Sequence, residues 1–320
     1  MYRYILKRVL QLIPVILGAS LLVFIIMNLS TGDVVTVITA NTDLTNEQIE
    51  ALREEMGLNR PLLVRYFEYL GNILRGDFGR SAISNEPVLK LYFSRFPATC
   101  KVAVAAILVD VILAVPLGIY SARKRGTLAD NGAMVFGLLG LSLPNFWLGL
   151  MLIILFSVKL HWLPSSGAGE GIKSIILPAI TLGTSLMATT TRTTRSSMLD
   201  VLSQDYMRTA RAKGVPEKKV VNIHGLKNAL IPILTLIGTQ LAKAFGGSAI
   251  EEAVFAYPGV GKLLLDGVNN RDTTLVCGVI IINVAITVVI LLFVDILYAY
   301  VDPRIKAQYS GKGKRKNAKE

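Results

Sequence analysis

Apolar residues in this chain run in long unbroken blocks, neither alternating as in a half-buried strand nor confined to the stripe of a soluble helix. Six blocks approach the roughly 20 residues that span hydrocarbon. They run from Val9 to Leu29, Val102 to Ala122, Gly132 to Val158, Ile175 to Thr191, Asn228 to Ile250 and Val276 to Tyr300. The pattern predicts an all-α integral membrane protein with six transmembrane helices. Residues 30–99 are patterned differently. LTNEQIEALREEMGLNRPL reads as a helix opened by Thr45 or Asn46, carrying Glu47 in its first turn, closed by Gly57 and followed by Pro61. LLVRYFEYLGNILRGDFG continues with apolar residues at helical spacing and stops at Gly76 to Gly79. The expected organisation is an N-terminal tail with the first helix (1–29), a helical extracytoplasmic loop subdomain (30–99), a five-helix core (100–303) containing a basic loop at 192–227, and a basic tail (304–320).

Charge orients the spans. Arg3, Lys7 and Arg8 precede the first block, whose apolar run is too long for a signal peptide and lacks an A-x-A cleavage site, so it reads as an anchor. Arg123, Lys124 and Arg125 share its side, as do the bases of the loop at 192–227 and of the tail. That side is cytoplasmic by the positive-inside rule, and both termini lie there. The chain has 320 residues, 52% of them hydrophobic, a mean hydropathy of +0.53 and a net charge of +12. Topology and anionic inner-leaflet lipid account for most of that charge, so nucleic acid is not an expected partner.

The search for chemistry is mostly empty. The two histidines, His161 and His224, lie far apart and on opposite predicted sides, which leaves no histidine-based metal or acid-base site. YPGVGKLL has a Gly-Lys pair, but Ala256 stands where a phosphate-binding loop has its first glycine and Leu263 where it has Ser or Thr. No nucleophile elbow or dinucleotide fingerprint occurs, so the chain is expected not to be an enzyme and to hold no cofactor or metal of its own. Cys100 and Cys277 both fall near outer span ends; a disulfide is geometrically open to them, and unpaired cysteines are the simpler reading.

Polar residues inside apolar blocks are costly there and mark a watery path or a structural hydrogen bond. Asp110 sits mid-block in VAAILVDVILAV, and Lys243 in QLAKAFGGSA either lines a cavity or snorkels. Asp295 approaches the cytoplasmic end of the last block. Pro116, Pro144 with Asn145, and Pro178 bend or interrupt helices. Asp110, Asn145 and Lys243 are therefore candidate path residues. Glu251 and Glu252, near the predicted outer mouth, are candidates for meeting a receptor or cationic cargo, with a solvated loop end as the alternative.

The loop DYMRTARAKGVPEKKVVNIHGLKNALIP reads as helix, tight turn, helix. Ser203 is placed to cap it, Asp205 opens it and the later bases complement the helix dipole. Gly214 is a left-handed terminator, and Pro216 with Glu217 opens a second helix toward His224. Ala210 and Ala212 allow another surface close, and Arg208, Arg211 and Lys213 can bond its carboxylates. A solvated amphipathic loop is the plainer alternative.

DYMRTARAKG followed by HGLKNALIPIL resembles the EAA-type loop of permease subunits in ATP-binding-cassette importers, specifically the oligopeptide, dipeptide and nickel permease family. The resemblance extends over nearly the whole chain through YILKRVLQLIPVILGASLLVF, GLNRPL, GDFGRS, SLPNFWLG, LPSSG, FAYPGVGKLL and DPRI. It is greatest to the first permease, the one with a large outer loop. The resemblance implies six transmembrane helices of the importer-permease type in a bacterial or archaeal cytoplasmic membrane. It implies a second homologous permease, two cytoplasmic ATPases that hold the ATP and Mg, and an extracytoplasmic substrate-binding protein. Ala210, Arg211, Ala212, Lys213 and Gly214 would then form the coupling helix and its turn, oriented by Asp205 and Tyr206. Cargo would be di- or oligopeptides, with nickel or a nickel chelate as the alternative. Asp33-Val34 replaces a frequent Asp-Pro, and Glu251-Glu252 stands where the family is usually more apolar. An autonomous ion-coupled carrier using Asp110 is the reading from a different class; it lacks the inverted repeat and paired intramembrane charges a carrier would show.

Overall fold

The computed structural model describes residues 2–29, 32–40, 42, 44–246 and 248–301. The basic tail at 304–320 lies outside them. Among the described residues the chain is helical, with one isolated bridge between Arg80 and Pro87 and no strand. The helices are α1 (Tyr2–Leu29), α2 (Val34–Ile38), α3 (Asn46–Glu55), α4 (Leu62–Leu74), α5 (Val88–Arg123), α6 (Leu128–Ser142) and α7 (Asn145–Leu152). They continue as α8 (Lys173–Leu202), α9 (Asp205–Ala212), α10 (Glu217–Lys219), α11 (Leu226–Phe245), α12 (Ala249–Val254), α13 (Val260–Asn269) and α14 (Thr273–Val301). Wider π-helical turns extend α7 over Ile153–Lys159 and join α10 to α11 over Val220–Gly225.

Among the described residues four helices are long and apolar enough to cross a membrane: Val88–Arg123, Lys173–Leu202, Glu217–Phe245 and Thr273–Val294. Leu128–Ser142 with Asn145–Lys159 forms a fifth if counted as one broken span, and Ile13–Leu29 is a shorter apolar helix. The block from Gly132 to Val158 is interrupted where Pro144 with Asn145 is expected to bend or break it, Leu143 turning extended (φ −98°, ψ 133°) before the proline. Proline disfavours the helical region for the residue before it and has no N–H to carry a helix through. The block from Asn228 to Ile250 ends at Phe245, and Ile250 belongs to α12. Pro178, by contrast, sits inside an unbroken α8.

The chain packs as two compact units. One comprises Lys101–Phe245 with α14 from Val289 onward. In it α8 is the central helix, with fourteen buried residues. Glycines let its backbone close on its neighbours: a Cβ on Gly183 would meet the Ala106 carbonyl of α5 at 2.7 Å, and one on Gly140 the Thr184 carbonyl at 2.0 Å. Small residues at such crossings permit the van der Waals contact that holds helices together in lipid. Ala122, Met198, Val221, Ala229 and Ile233 form an apolar core within this unit.

The other unit comprises Tyr2–Cys100 and Gly246–Val288. The capped helix predicted from the sequence is present: Thr45 and Gln48 make a reciprocal capping box at the start of α3. Gly57 (φ +68°) ends it, with the Leu58 and Gly57 N–H groups donating to the carbonyls of Arg53 and Glu54 at 2.9 Å each. The same closure recurs after α4 at Gly76. Tyr66 of α4 packs on Phe24 of α1 and shares its hydroxyl with Ser20 at 3.0 Å. Val88, Tyr92, Val260, Leu263 and Val279 make a second core. Tyr92 donates to Asn283 at 2.5 Å, and Asn283 to the Gly246 carbonyl at 2.7 Å. Cys100 and Cys277 are both free thiols.

Candidate functional site

The basic loop at 192–227 is built as a short helix on a single anchor. α9 (DYMRTARA) buries one side chain, Met207, and exposes or half-exposes the rest. Met207 lies over Gly225 beside Met198, so the π-helical turn and the end of α8 form its seat. Ser203 does not cap α9. It ends α8, its hydroxyl donating to the Asp200 carbonyl at 2.8 Å, and Gln204 occupies the N-cap position without a side-chain bond. A serine hydroxyl is satisfied by the carbonyls of the turn before it as readily as by an N–H after it, and here the preceding helix reaches it first.

Gly214 adopts φ +77°, as its sequence position predicted. The Val215 N–H donates to the Ala210 carbonyl at 3.3 Å and the Gly214 N–H to the Arg211 carbonyl at 2.9 Å, the paired bonds of a left-handed helix cap. The turn is then clamped by charge. Arg211 donates through Nε and Nη2 to both oxygens of Glu217, each at 3.0 Å. Glu217 was expected only to open the next helix, and its partnership with Arg211 was not anticipated; a spacing of six residues falls outside the i, i+4 register in which pairs can be read along one helix. The second helix is shorter than expected: α10 has three residues and gives way to π-helical turns that reach Gly225. Asp205 pairs loosely with Arg208 at 3.7 Å, and Tyr206, Ala212, Lys213 and Gly214 are exposed. The result is a basic, largely unburied helix-turn, held by one apolar anchor and closed by one ion pair.

Asp110 is fully buried. Thr190 of α8 donates to its Oδ2 at 2.8 Å and lies 3.2 Å from Gln240 Oε1 of α11, so the three helices share one polar cluster. Gln240 in turn donates to the Leu186 carbonyl at 3.4 Å. Thr190 and Gln240 are not among the candidates the sequence marks, although Gln240 stands within an apolar block as plainly as Lys243 does. The cluster satisfies one oxygen of the carboxylate: Oδ1 of Asp110 is buried with no hydrogen-bond partner among the described residues, so a structural bond accounts for Oδ2 alone. Asp110→Ala is expected to lower the melting temperature of the solubilised protein by the equivalent of about 1 kcal/mol, the net value of one such bond, while transport per folded molecule is kept. A transport defect at an unchanged melting temperature, by scanning fluorimetry and vesicle uptake, would return Asp110 to the path.

Asn145 is half-buried at the first position of α7, just past the break. Lys243 is exposed, and no bond to it occurs among the described residues. Asn228, Thr235 and Lys243 mark an exposed polar strip along α11. Glu252 is corrected: it is fully buried, and Glu251 nearly so, and neither is a surface carboxylate. Glu252 accepts from the Thr99 hydroxyl at 2.7 Å and from the Lys262 N–H at 3.0 Å, and its carboxylate also takes the Gly261 N–H. It closes the N-terminus of α13, whose own N-cap, Gly259, has no side chain to offer. Among the described residues no group of His, Cys, Asp and Glu could hold a metal ion.

Comparison with known proteins places this architecture. The family described as binding-protein-dependent transport system inner membrane component matches residues 114–307, and its N-terminal companion family matches residues 1–103. The chain is 40% identical over 316 residues to the oligopeptide transport system permease protein AppB of Bacillus subtilis (strain 168), covering 96% of this chain and 100% of that protein. It is 41% identical over 306 residues to the glutathione transport system permease protein GsiC of Escherichia coli (strain K12), covering 96% and 99%. In fold it is similar to an inward-facing MetNI methionine ABC transporter chain, with a TM-score of 0.58 and 18% identity over 68% of this chain and 99% of that one.

Proposed function

Because the chain belongs to the binding-protein-dependent transport system inner membrane components and is the permease of an ABC importer, we propose that its cargo is di- or oligopeptides and that α9 with its turn is the coupling element. The peptide cargo is supported by the two relatives above, one named for oligopeptides and one for glutathione, a tripeptide. Nickel or a nickel chelate is the alternative cargo of the resemblance, and no observation on the described residues favours it.

The single observation behind the coupling assignment is the exposed helix held by Met207 and closed by Gly214. Asp205, Tyr206, Ala210, Arg211, Ala212, Lys213 and Gly214 form a knob with a defined shape and a basic edge. Such a knob suits a groove on a cytoplasmic ATPase, with ATP and Mg bound there and not on this chain. Closure of two ATPases around ATP would draw this loop toward its counterpart on a second homologous permease and tilt the helices between inward- and outward-facing states. The energy passes through contacts that differ between two conformations. An extracytoplasmic substrate-binding protein would deliver cargo on the opposite side, with both termini cytoplasmic. Of the path candidates, Lys243 on the polar strip of α11 is the exposed one, and Asn145 flanks a helix break; both are proposed to face the cargo route.

The test is co-purification from detergent of the intact chain and of a double variant, Arg211→Glu with Lys213→Glu. The intact chain is expected to bring down two ATPase subunits and a second permease with ATPase activity, and the variant to lose the ATPases. The variant reverses two charges and removes the Arg211–Glu217 clamp. A partner-free chain that moves solute under an ion gradient would replace this reading with that of an autonomous carrier.

A further inference from the structure

The unit built from Tyr2–Cys100 and Gly246–Val288 contains a cavity of about 810 Å³. Its wall draws on the end of α1, the α3–α4 turn, one face of α4, the Gly79–Ala82 loop and the start of α14. That volume falls in the range of small-molecule sites. Five guanidinium groups reach it, from Arg53, Arg60, Arg65, Arg80 and Arg271, against four carboxylates, from Asp33, Glu55, Glu68 and Asp272.

Most of the acids are already engaged. Asp33 accepts from Arg53 at 2.8 Å, and Glu68 from Arg60 at 3.0 Å. Asp272 accepts from the Ser81 hydroxyl at 2.7 Å, the Ala82 N–H at 2.9 Å and the Leu275 N–H at 3.0 Å, and so caps α14. Glu55 stands exposed. Arg65 is arranged differently from the arginines that face acids. It is half-buried, donates to the amide oxygen of Asn28 at 2.8 Å and to the Leu58 carbonyl at 3.3 Å, and lies 5.7 Å from the centre of the Phe24 ring. Those partners are neutral. They aim a planar fork. Its nearest opposing charge is Asp33, which Arg53 already holds, so one carboxylate is shared between two guanidinium groups and positive charge is left over for a ligand, with partial burial strengthening that contact.

We propose that this cavity is a binding site for a small carboxylate-bearing ligand, a short peptide with a free C-terminus, held through its carboxylate by Arg65. The peptide class rests on the cargo reading above; the anion site rests on the geometry of Arg65. The site is separate from the coupling element and from the polar strip of α11, and it would hold cargo in the unit that contains the long first loop.

The full-length chain in lipid nanodiscs is titrated calorimetrically with trialanine, with trialanine amide and with sodium sulfate. Trialanine is expected to bind, the amide to bind at least about tenfold more weakly, equivalent to about 1.4 kcal/mol, and sulfate to compete poorly. Arg65→Gln is expected to erase the preference for the acid, and Arg65→Lys to keep only part of it, since an ammonium lacks the fork. Equal binding of acid and amide would overturn the proposal, as would an undiminished preference in Arg65→Gln or displacement by sulfate at equal strength. If Arg65→Gln does not fold, the acid-against-amide comparison on the unaltered chain decides alone. Neither ATPases nor transport enter the measurement, so the site can fail while the importer assignment stands, and the reverse.

Discussion

Gly214→Val is expected to abolish most substrate uptake by the assembled importer while its ATPases continue to hydrolyse ATP. Nothing lies within 4 Å of a Cβ built on Gly214, so the effect does not come from a clash. It comes from φ +77°, which costs an L-residue about 1–2 kcal/mol and a β-branched one more. Relaxing that strain moves Val215 and Pro216, breaks the two closing bonds to Ala210 and Arg211, and separates Arg211 from Glu217. The knob would survive as a helix on Met207, but its exit direction would change, and a coupling element acts through its orientation. Gly214→Asn is the control, because asparagine tolerates the left-handed region, and it is expected to retain most uptake. Paired uptake and ATPase assays in proteoliposomes read both quantities. Normal uptake by the valine variant would remove α9 and its turn from the coupling role.

Glu252→Ala is expected to prevent stable folding of the unit that contains it. Its carboxylate accepts from Thr99, Gly261 and Lys262, and removal leaves two buried donors and one half-buried donor without their acceptor. Each lost partner costs about 1–3 kcal/mol, and the sum is comparable to the whole stability of many domains. Glu252→Gln keeps one oxygen acceptor and nearly the same volume, and is expected to fold with an intermediate loss. The pH response separates charge from shape. Burial pushes the Glu252 carboxyl above its ordinary 4.5, with its hydrogen bonds opposing the shift in part. A carboxyl whose pKa is raised on folding contributes stability that is complete below the unfolded value and is lost as pH rises through the folded one. The melting temperature of the unaltered chain should therefore fall as pH is raised from 4.5 through that elevated value, and the glutamine variant should show a flatter profile. Identical profiles would mean that the carboxyl does not titrate in that window.

The burial of Glu252 is not legible along the chain. Two adjacent acids before a turn look like a solvated loop end, and hydropathy assigns them to a surface. Glu252 lies inward at the start of α13, whose N-cap, Gly259, carries no side-chain acceptor for the helix's first N–H groups. Asp110 is a milder case. Its depth in an apolar block marked it as costly wherever it went, and only the packing of α5, α8 and α11 gave it Thr190 and a place beside Gln240.

What the sequence determined by itself is whatever depends on neighbouring residues and on solvent. Long apolar blocks can only be helices in lipid, since every backbone N–H and C=O must be satisfied within the segment. Thr45, Gly57, Gly76 and Gly214 mark helix ends because capping and left-handed closure involve residues within one turn of one another. The order of short motifs pointed to the family for the same reason: each is local and legible as text. The tertiary structure alone decided the pairings between distant residues. Thr99 meets Glu252 across 153 positions, Asp110 meets Thr190 across 80, and Ser81 meets Asp272 across 191. It also decided that the block from Gly132 to Val158 breaks at Pro144, although Pro178 is carried inside an unbroken α8. A proline costs a helix the same missing N–H at either place. Whether the helix continues depends on what packs around it, and α8 has neighbours on most of its surface.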